Sequence, residues 1–370
     1  MLRDIHSRAP LLRRRGRLLA ILLLAAATGP GCAGSDEPTL EREAARRPGR
    51  ARIVPFPPQG AIRIQYRTAG GEGTPYRLQV HYSGSTQQRG GGQLAEPQRV
   101  SQDVTLELHY RQRATTSPEE SELVSILFLS ALMQRSMSSL GPTQSLLEIA
   151  DDRVRLNINN EPRLDVSGSR RSGTLGPDSL LGVPFAMLRT DLFGNPLAVD
   201  VRGRREARGI LGLVPLQAAL RYSQPAFPLD EILPGATWQA RRIPASPIGQ
   251  LGLVFDVEHR LIGYEELDGV QCARVILRSS LDEEDYSTPL GQEFDRVEGE
   301  LNGEAWLDLA TGQPYRAVME DELSIDYAQG EGAERIRIRM SFSGRVVFDR
   351  LDFPPPEKVW ADGTKRFASK

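Results

Sequence analysis

The sequence predicts a mainly β fold: a curved antiparallel sheet or half-barrel with one apolar helix packed on or in it. Three observations carry that expectation. Apolar and polar residues alternate with period two in many separate runs, as in Val104-Thr105-Leu106-Glu107-Leu108-His109-Tyr110. Glycine-bearing turns punctuate those runs. One long stretch near 118–139 breaks the alternation around an 11-residue apolar heart, Leu123 to Met133, interrupted only by Ser125 and Ser130.

The first 31 residues read as an export signal. Arg3, Arg8, Arg13, Arg14, Arg15 and Arg17 form a basic region, and Leu18 to Thr28 is an uncharged apolar run. That run is about 11 residues, short of the roughly 20 that cross a bilayer as a helix. Gly29-Pro30-Gly31-Cys32 follows. This segment resembles the lipobox of bacterial lipoproteins, in which small residues precede a lipidated cysteine. Gly31 and Cys32 match it, whereas Gly29 stands where that family prefers Leu. The resemblance implies lipidation of Cys32 and anchoring in a membrane. Ala33 stands where the family's inner-membrane retention signal has Asp, which implies an outer-membrane protein facing the periplasm. An ordinary signal peptide with an incidental cysteine, and a surface or secreted protein, are the alternatives.

Residues 32–58 have no apolar period and read as a flexible tether. Residues 59–353 form a β-rich globular body, with room for two similar sheets divided near 225–235. Residues 354–370 read as a loose tail. The whole chain carries a net charge of −2, and the signal segment takes six arginines with it, so the processed protein is acidic. Nucleic-acid binding has no electrostatic basis in such a chain. After Cys32 the only cysteine is Cys272, so no intrachain disulfide forms once Cys32 is acylated.

Within the body, 61–67, 76–82 and 104–110 read as half-buried strands. Ser117-Pro118-Glu119-Glu120 reads as a capping box opening a helix over about 118–139. Its apolar residues make no single stripe, so such a helix requires cover on most sides. Leu123, Ile126, Leu127 and Phe128 are the candidate lining of an apolar site, either an open cavity or a solid core. Strands resume at 146–149, 154–158, 187–190 and 197–201, and 203–222 is partly helical at best. Hairpin strands flank Leu267-Asp268-Gly269, and 300–309, 315–327 and 335–348 are long strands. Asp191 to Pro196 echoes Asp308 to Pro314, through shared turn chemistry or a duplicated half-domain.

Catalytic signals are absent from the sequence. His81, His109 and His259 have no metal-ligand spacing and read as solvated strand residues. Cys272 reads as a buried, inert thiol. Ser83-Gly84-Ser85 reads as loop punctuation. Asp282-Glu283-Glu284-Asp285 reads as a solvated acidic turn rather than a metal loop. The arginines at 202, 204, 205 and 208 could meet anionic head groups, or form a wet surface. No cofactor or metal is expected.

Strands about an apolar helix, with the Thr311-Gly312-Gln313-Pro314 hairpin, resemble the half-barrel LolA/LolB and LppX-like lipoproteins. In that group a curved sheet wraps an apolar cavity plugged by helices. The resemblance implies a non-enzymatic, lipid-anchored carrier of an apolar ligand. The alternatives are a structural or assembly lipoprotein that presents its sheet to a protein partner, and an uncharacterised exported β-rich lipoprotein.

Overall fold

A computed structural model describes residues 73–90, 98–117, 122–139, 144–150, 153–167, 180–191, 196–201, 230–242, 253–288, 291–330 and 335–351, together with Ile62, Leu220 and 226–228. Cys32, the tether, the tail and the arginines of 202–208 lie outside the described residues. The strands of the first half are β1 (Thr74–Gly90), β2 (Gln98–Ser117), β3 (Glu122–Ser138), β4 (Ser145–Ala150), β5 (Arg153–Ile158), β6 (Glu161–Ser167), β7 (Pro184–Asp191) and β8 (Pro196–Val201). Those of the second half are β9 (Thr237–Arg242), β10 (Phe255–Leu267), β11 (Val270–Ser287), β12 (Glu293–Asp308), β13 (Pro314–Gln329) and β14 (Ile336–Arg350).

All pairings among the described strands are antiparallel. The sheet runs β6-β5-β4-β3-β2-β1-β14-β13-β12-β11-β10-β9, and the β7–β8 hairpin joins it through β3. β1 to β6 and β9 to β14 each form a meander, in which every strand pairs with the next in sequence. The halves meet where β1 pairs with β14 over Tyr76↔Arg350 to Gly90↔Ile336. The sheet is curved and unclosed, ending at β6 and β9.

The expected helix over 118–139 is corrected: Glu122–Ser138 is strand β3. Leu123, Ser125, Leu127 and Leu129 are buried, while Val124, Ile126 and Phe128 on the other face are half-buried. A strand with apolar residues on both faces shows no clean alternation, and so mimics a helix that is apolar all round. Val124, Ile126 and Phe128 are also strand-favouring types. Of the supposed capping box, Ser117 ends β2, and 118–120 lie outside the described residues.

Strand β3 is also where the sheet forks. Its first half pairs with β7, from Glu122↔Asp191 to Phe128↔Pro184. Its second half pairs with β4, from Leu132↔Ile149 to Ser136↔Ser145. Ser130 is the extra residue between Tyr110↔Leu129 and His109↔Ala131. Such a bulge bends its strand, and here it falls where one neighbour gives way to the other.

Residues directly opposite in an antiparallel pair share a face. One lateral line therefore places Leu132, Leu108, Leu78, Phe348, Ala317, Ala305 and Val275 together on the inner face, each buried. Tyr76 packs on Phe348 with ring centroids 4.8 Å apart and on Tyr110 at 5.7 Å. Burying each of these large side chains stabilises the fold by about 1.5–3 kcal/mol. Leu180, Leu220, Phe227, Ile232 and Leu253, from connecting segments, belong to the same core.

The two echoing segments both lie between paired strands: Asp191 ends β7 and Pro196 opens β8, and Asp308 ends β12 and Pro314 opens β13. In the second, Ala310 N–H donates to Asp308 Oδ1 at 2.8 Å. Arg350 Nη1 donates to Asp308 Oδ2 at 2.5 Å, and Tyr76 Oη donates to Gln313 Oε1 at 2.6 Å. The hairpin is thereby tied to the last strand and the first.

Candidate functional site

The lining candidates separate in space. Leu123 and Leu127 point inward and are 2% and 0% exposed. Ile126 and Phe128 occupy the opposite face of β3, with the Arg113 guanidinium 5.4 Å from the Phe128 ring centroid. The four residues do not line one cavity.

His109 and His259 depart from the sequence expectation, whereas His81 does not. His81 is partly exposed and pairs with Asp103 at 3.0 Å, which raises its pKa against the opposing effect of burial. His109 is buried, with Nε2 2.7 Å from Glu107 Oε1. Burial alone would raise the Glu107 carboxyl. Hydrogen bonds from His109 and Gln79, and the nearby Arg77, bring it below the ordinary value instead. His259 is fully buried against Trp238, with ring centroids 5.3 Å apart. Strand alternation placed these rings on faces but could not reveal what packs over them. Cys272 is buried, and burial pushes its thiol up to about 12, which suppresses the reactive thiolate.

Glu320-Asp321-Glu322 divides between faces as its strand position dictates: Glu320 and Glu322 are exposed and Asp321 is buried. Asp321 lies over Gly344, at the point where a Cβ on that residue would have to sit. Burial pushes the Asp321 carboxyl up to about 6. Asp282 to Asp285 are exposed but lie within β11 rather than in a turn. Among the described residues no three His, Cys, Asp or Glu side chains group as a metal site.

A trough of about 1090 Å³ crosses the sheet from the end of β3 through β2, β1, β14, β13 and β12 to β11. Its centre is the register line Gln102, Gly84, Phe342, Leu323, Gly299 and Leu281. The two flanking lines turn to the opposite, solvent face. One carries Asp103, Ser83, Ser343, Glu322, Glu300 and Ser280; the other carries Ser101, Ser85, Ser341, Ser324, Glu298 and Asp282. Most of the lining thus belongs to the solvent face.

The small serines make this depression, because larger outward side chains would fill it. Ser83 and Ser343 are directly opposite, with hydroxyl oxygens 2.8 Å apart. Ser83-Gly84-Ser85 is therefore mid-strand in β1, not loop punctuation. Gly84 is needed by its neighbour: a Cβ there would lie 2.6 Å from the Phe342 ring. Gly299 accommodates Leu323 in the same way, at 2.7 Å. The available sequence signal was a Ser-x-Ser pair in each of two strands, at 83–85 and 341–343. Only the register reveals that they are neighbours.

Carboxylates dominate the charged lining: Asp103, Asp282, Glu298, Glu300 and Glu322 stand against Arg99. Arg296 serves Asp282 at 2.9 Å and reaches Glu298 at 3.8 Å. Glu300 and Glu322 are directly opposite across β12 and β13 and both exposed.

No protein-family model matches the chain, and no curated protein matches it. Among solved structures it is similar to the complex of Pseudomonas aeruginosa MucA/MucB, at 10% identity over 74% of this chain and 89% of that one, with a TM-score of 0.10. It is likewise similar to MucB in complex with MucA(peri), at 12% identity over 72% of this chain and 88% of that one, with a TM-score of 0.09. At these TM-scores neither likeness carries an argument about this chain.

Proposed function

We propose that this chain is a non-enzymatic, lipid-anchored envelope protein that binds a protein partner on the solvent face of its sheet. The observation that carries the reading is the trough across seven strands, open to solvent and bordered by serines and carboxylates. Seven strands at about 4.8 Å spacing span about 29 Å, the length of roughly nine extended residues. A site of that length and openness suits a segment of another protein better than a small molecule, which favours an enclosed, mostly apolar cavity. The signal segment and Cys32 support anchoring at the outer membrane, facing the periplasm. The apolar-ligand carrier remains the second reading. It is supported by the apolar inner face of a curved sheet, but Leu123 and Leu127 are buried in that face's packed core.

Filling the trough tests the proposal. Ser85 and Ser341 are directly opposite, so Ser85→Trp with Ser341→Trp occupies its middle. In envelopes solubilised with mild detergent, the wild-type protein should migrate as a complex larger than the monomer. The double variant should migrate as a folded monomer. A complex unchanged by the two tryptophans would overturn the assignment of the trough.

A further inference from the structure

Resting on that reading, we infer that the trough receives an extended, cationic segment of its partner, with a guanidinium or ammonium group seated between Glu300 and Glu322. Three features of the surface point to this occupant. The first is charge. Five carboxylates and one guanidinium line the trough, which favours a positively charged ligand.

The second is a conflict within the sheet. Like charges directly opposite on neighbouring strands are destabilising. Glu300 faces Glu322, and on the adjoining line Asp282 faces Glu298. The protein answers the second pair with Arg296, which reaches both carboxylates. It answers the first pair with serines: in register, Glu300 is flanked by Ser280 and Glu322 by Ser343. The nearby Arg345 is engaged by Glu320 at 3.4 Å. A cation supplied from outside would do for Glu300 and Glu322 what Arg296 does for their neighbours. An arginine fork suits two carboxylates best, since its donors diverge in one plane.

The third feature is shape. Beside the two glutamates the face falls to Ser343, Ser83, Ser341, Ser85 and Ser324, side chains too short to obstruct a chain laid over them. Their hydroxyls can donate to or accept from a passing backbone. A segment alternating cationic and small residues would place one set over the carboxylates and the other over the serines.

Fluorescence anisotropy on the purified full-length protein tests the inference. The probe is a fluorescein-labelled nonapeptide alternating Arg and Ser, compared with the same peptide carrying Glu for Arg. The arginine peptide should bind, weaken as salt is raised, and outbind the glutamate peptide. Glu300→Gln with Glu322→Gln should weaken it about three- to tenfold, the range for two solvent-exposed ion pairs. Glu258→Gln, an exposed carboxylate on β10 outside the trough, should leave affinity unchanged. Equal binding of both peptides, or full affinity in the double glutamine variant, would overturn the cationic occupant. If that happens while the trough-filling tryptophans still dissolve the native complex, the docking surface stands and only the partner's chemistry falls. If the tryptophans leave the complex intact, both fall.

Discussion

The carboxylate of Asp321 occupies the space that a side chain on Gly344 would need, because a Cβ there would collide with Asp321 Oδ1. A buried carboxyl pushed up to about 6 from an ordinary 3.8 holds its proton more tightly in the folded chain than in the unfolded one. Folding stability should therefore fall as pH rises from about 4 to about 6, by about 3 kcal/mol in total. Asp321→Asn should flatten this fall and leave the protein more stable at neutral pH. Urea denaturation across that range checks it, and a variant with the wild-type pH profile would contradict it.

Leu127→Ala should cost about 2–5 kcal/mol, because it opens a hole in the packed inner face. Phe128→Ala should cost less despite removing a larger side chain, since Phe128 is half-buried beneath Arg113 on the opposite face. Chemical denaturation of the two variants measures the difference. Equal losses would mean that β3 does not have the two faces described.

Arg350→Met should cost about 3–5 kcal/mol, the penalty for stranding a buried partner. Arg350 and Asp308 are both mostly buried, and Arg350 also lies 4.7 Å from the Tyr315 ring centroid. Adding Asp308→Asn should recover part of the loss, because it removes the stranded charge. A double-mutant cycle in denaturant gives the coupling, and strict additivity would show that the pair is not linked.

Cys32→Ala should abolish labelling of the protein by a clickable palmitate analogue in cells. Undiminished labelling would contradict lipidation at Cys32.

Much of the sheet was legible in the sequence because strands with one wet face alternate visibly, as at 76–82 and 104–110. The hairpin at Leu267-Asp268-Gly269 was legible from its turn residues, and Asp268 and Gly269 both have positive φ. β3 was misread because its two faces are both partly covered, which erases the period-two signal. β6, Glu161–Ser167, was missed because an edge strand with mostly exposed residues has little apolar pattern to read. The trough was illegible for a different reason. Its serines and glutamates come from strands as distant in sequence as β1 and β14, and only lateral register brings them together. The burial of His109 and His259 likewise depends on what lies over them, which alternation within one strand does not encode.

The most direct test of the account places a photo-cross-linking residue at Ser341 in the trough of the full-length protein in living cells. Protein adducts at Ser341, identified by mass spectrometry and lost on adding Ser85→Trp, are the predicted result. Adducts to lipid alone at Ser341, or protein adducts that persist with Ser85→Trp, would contradict the docking account.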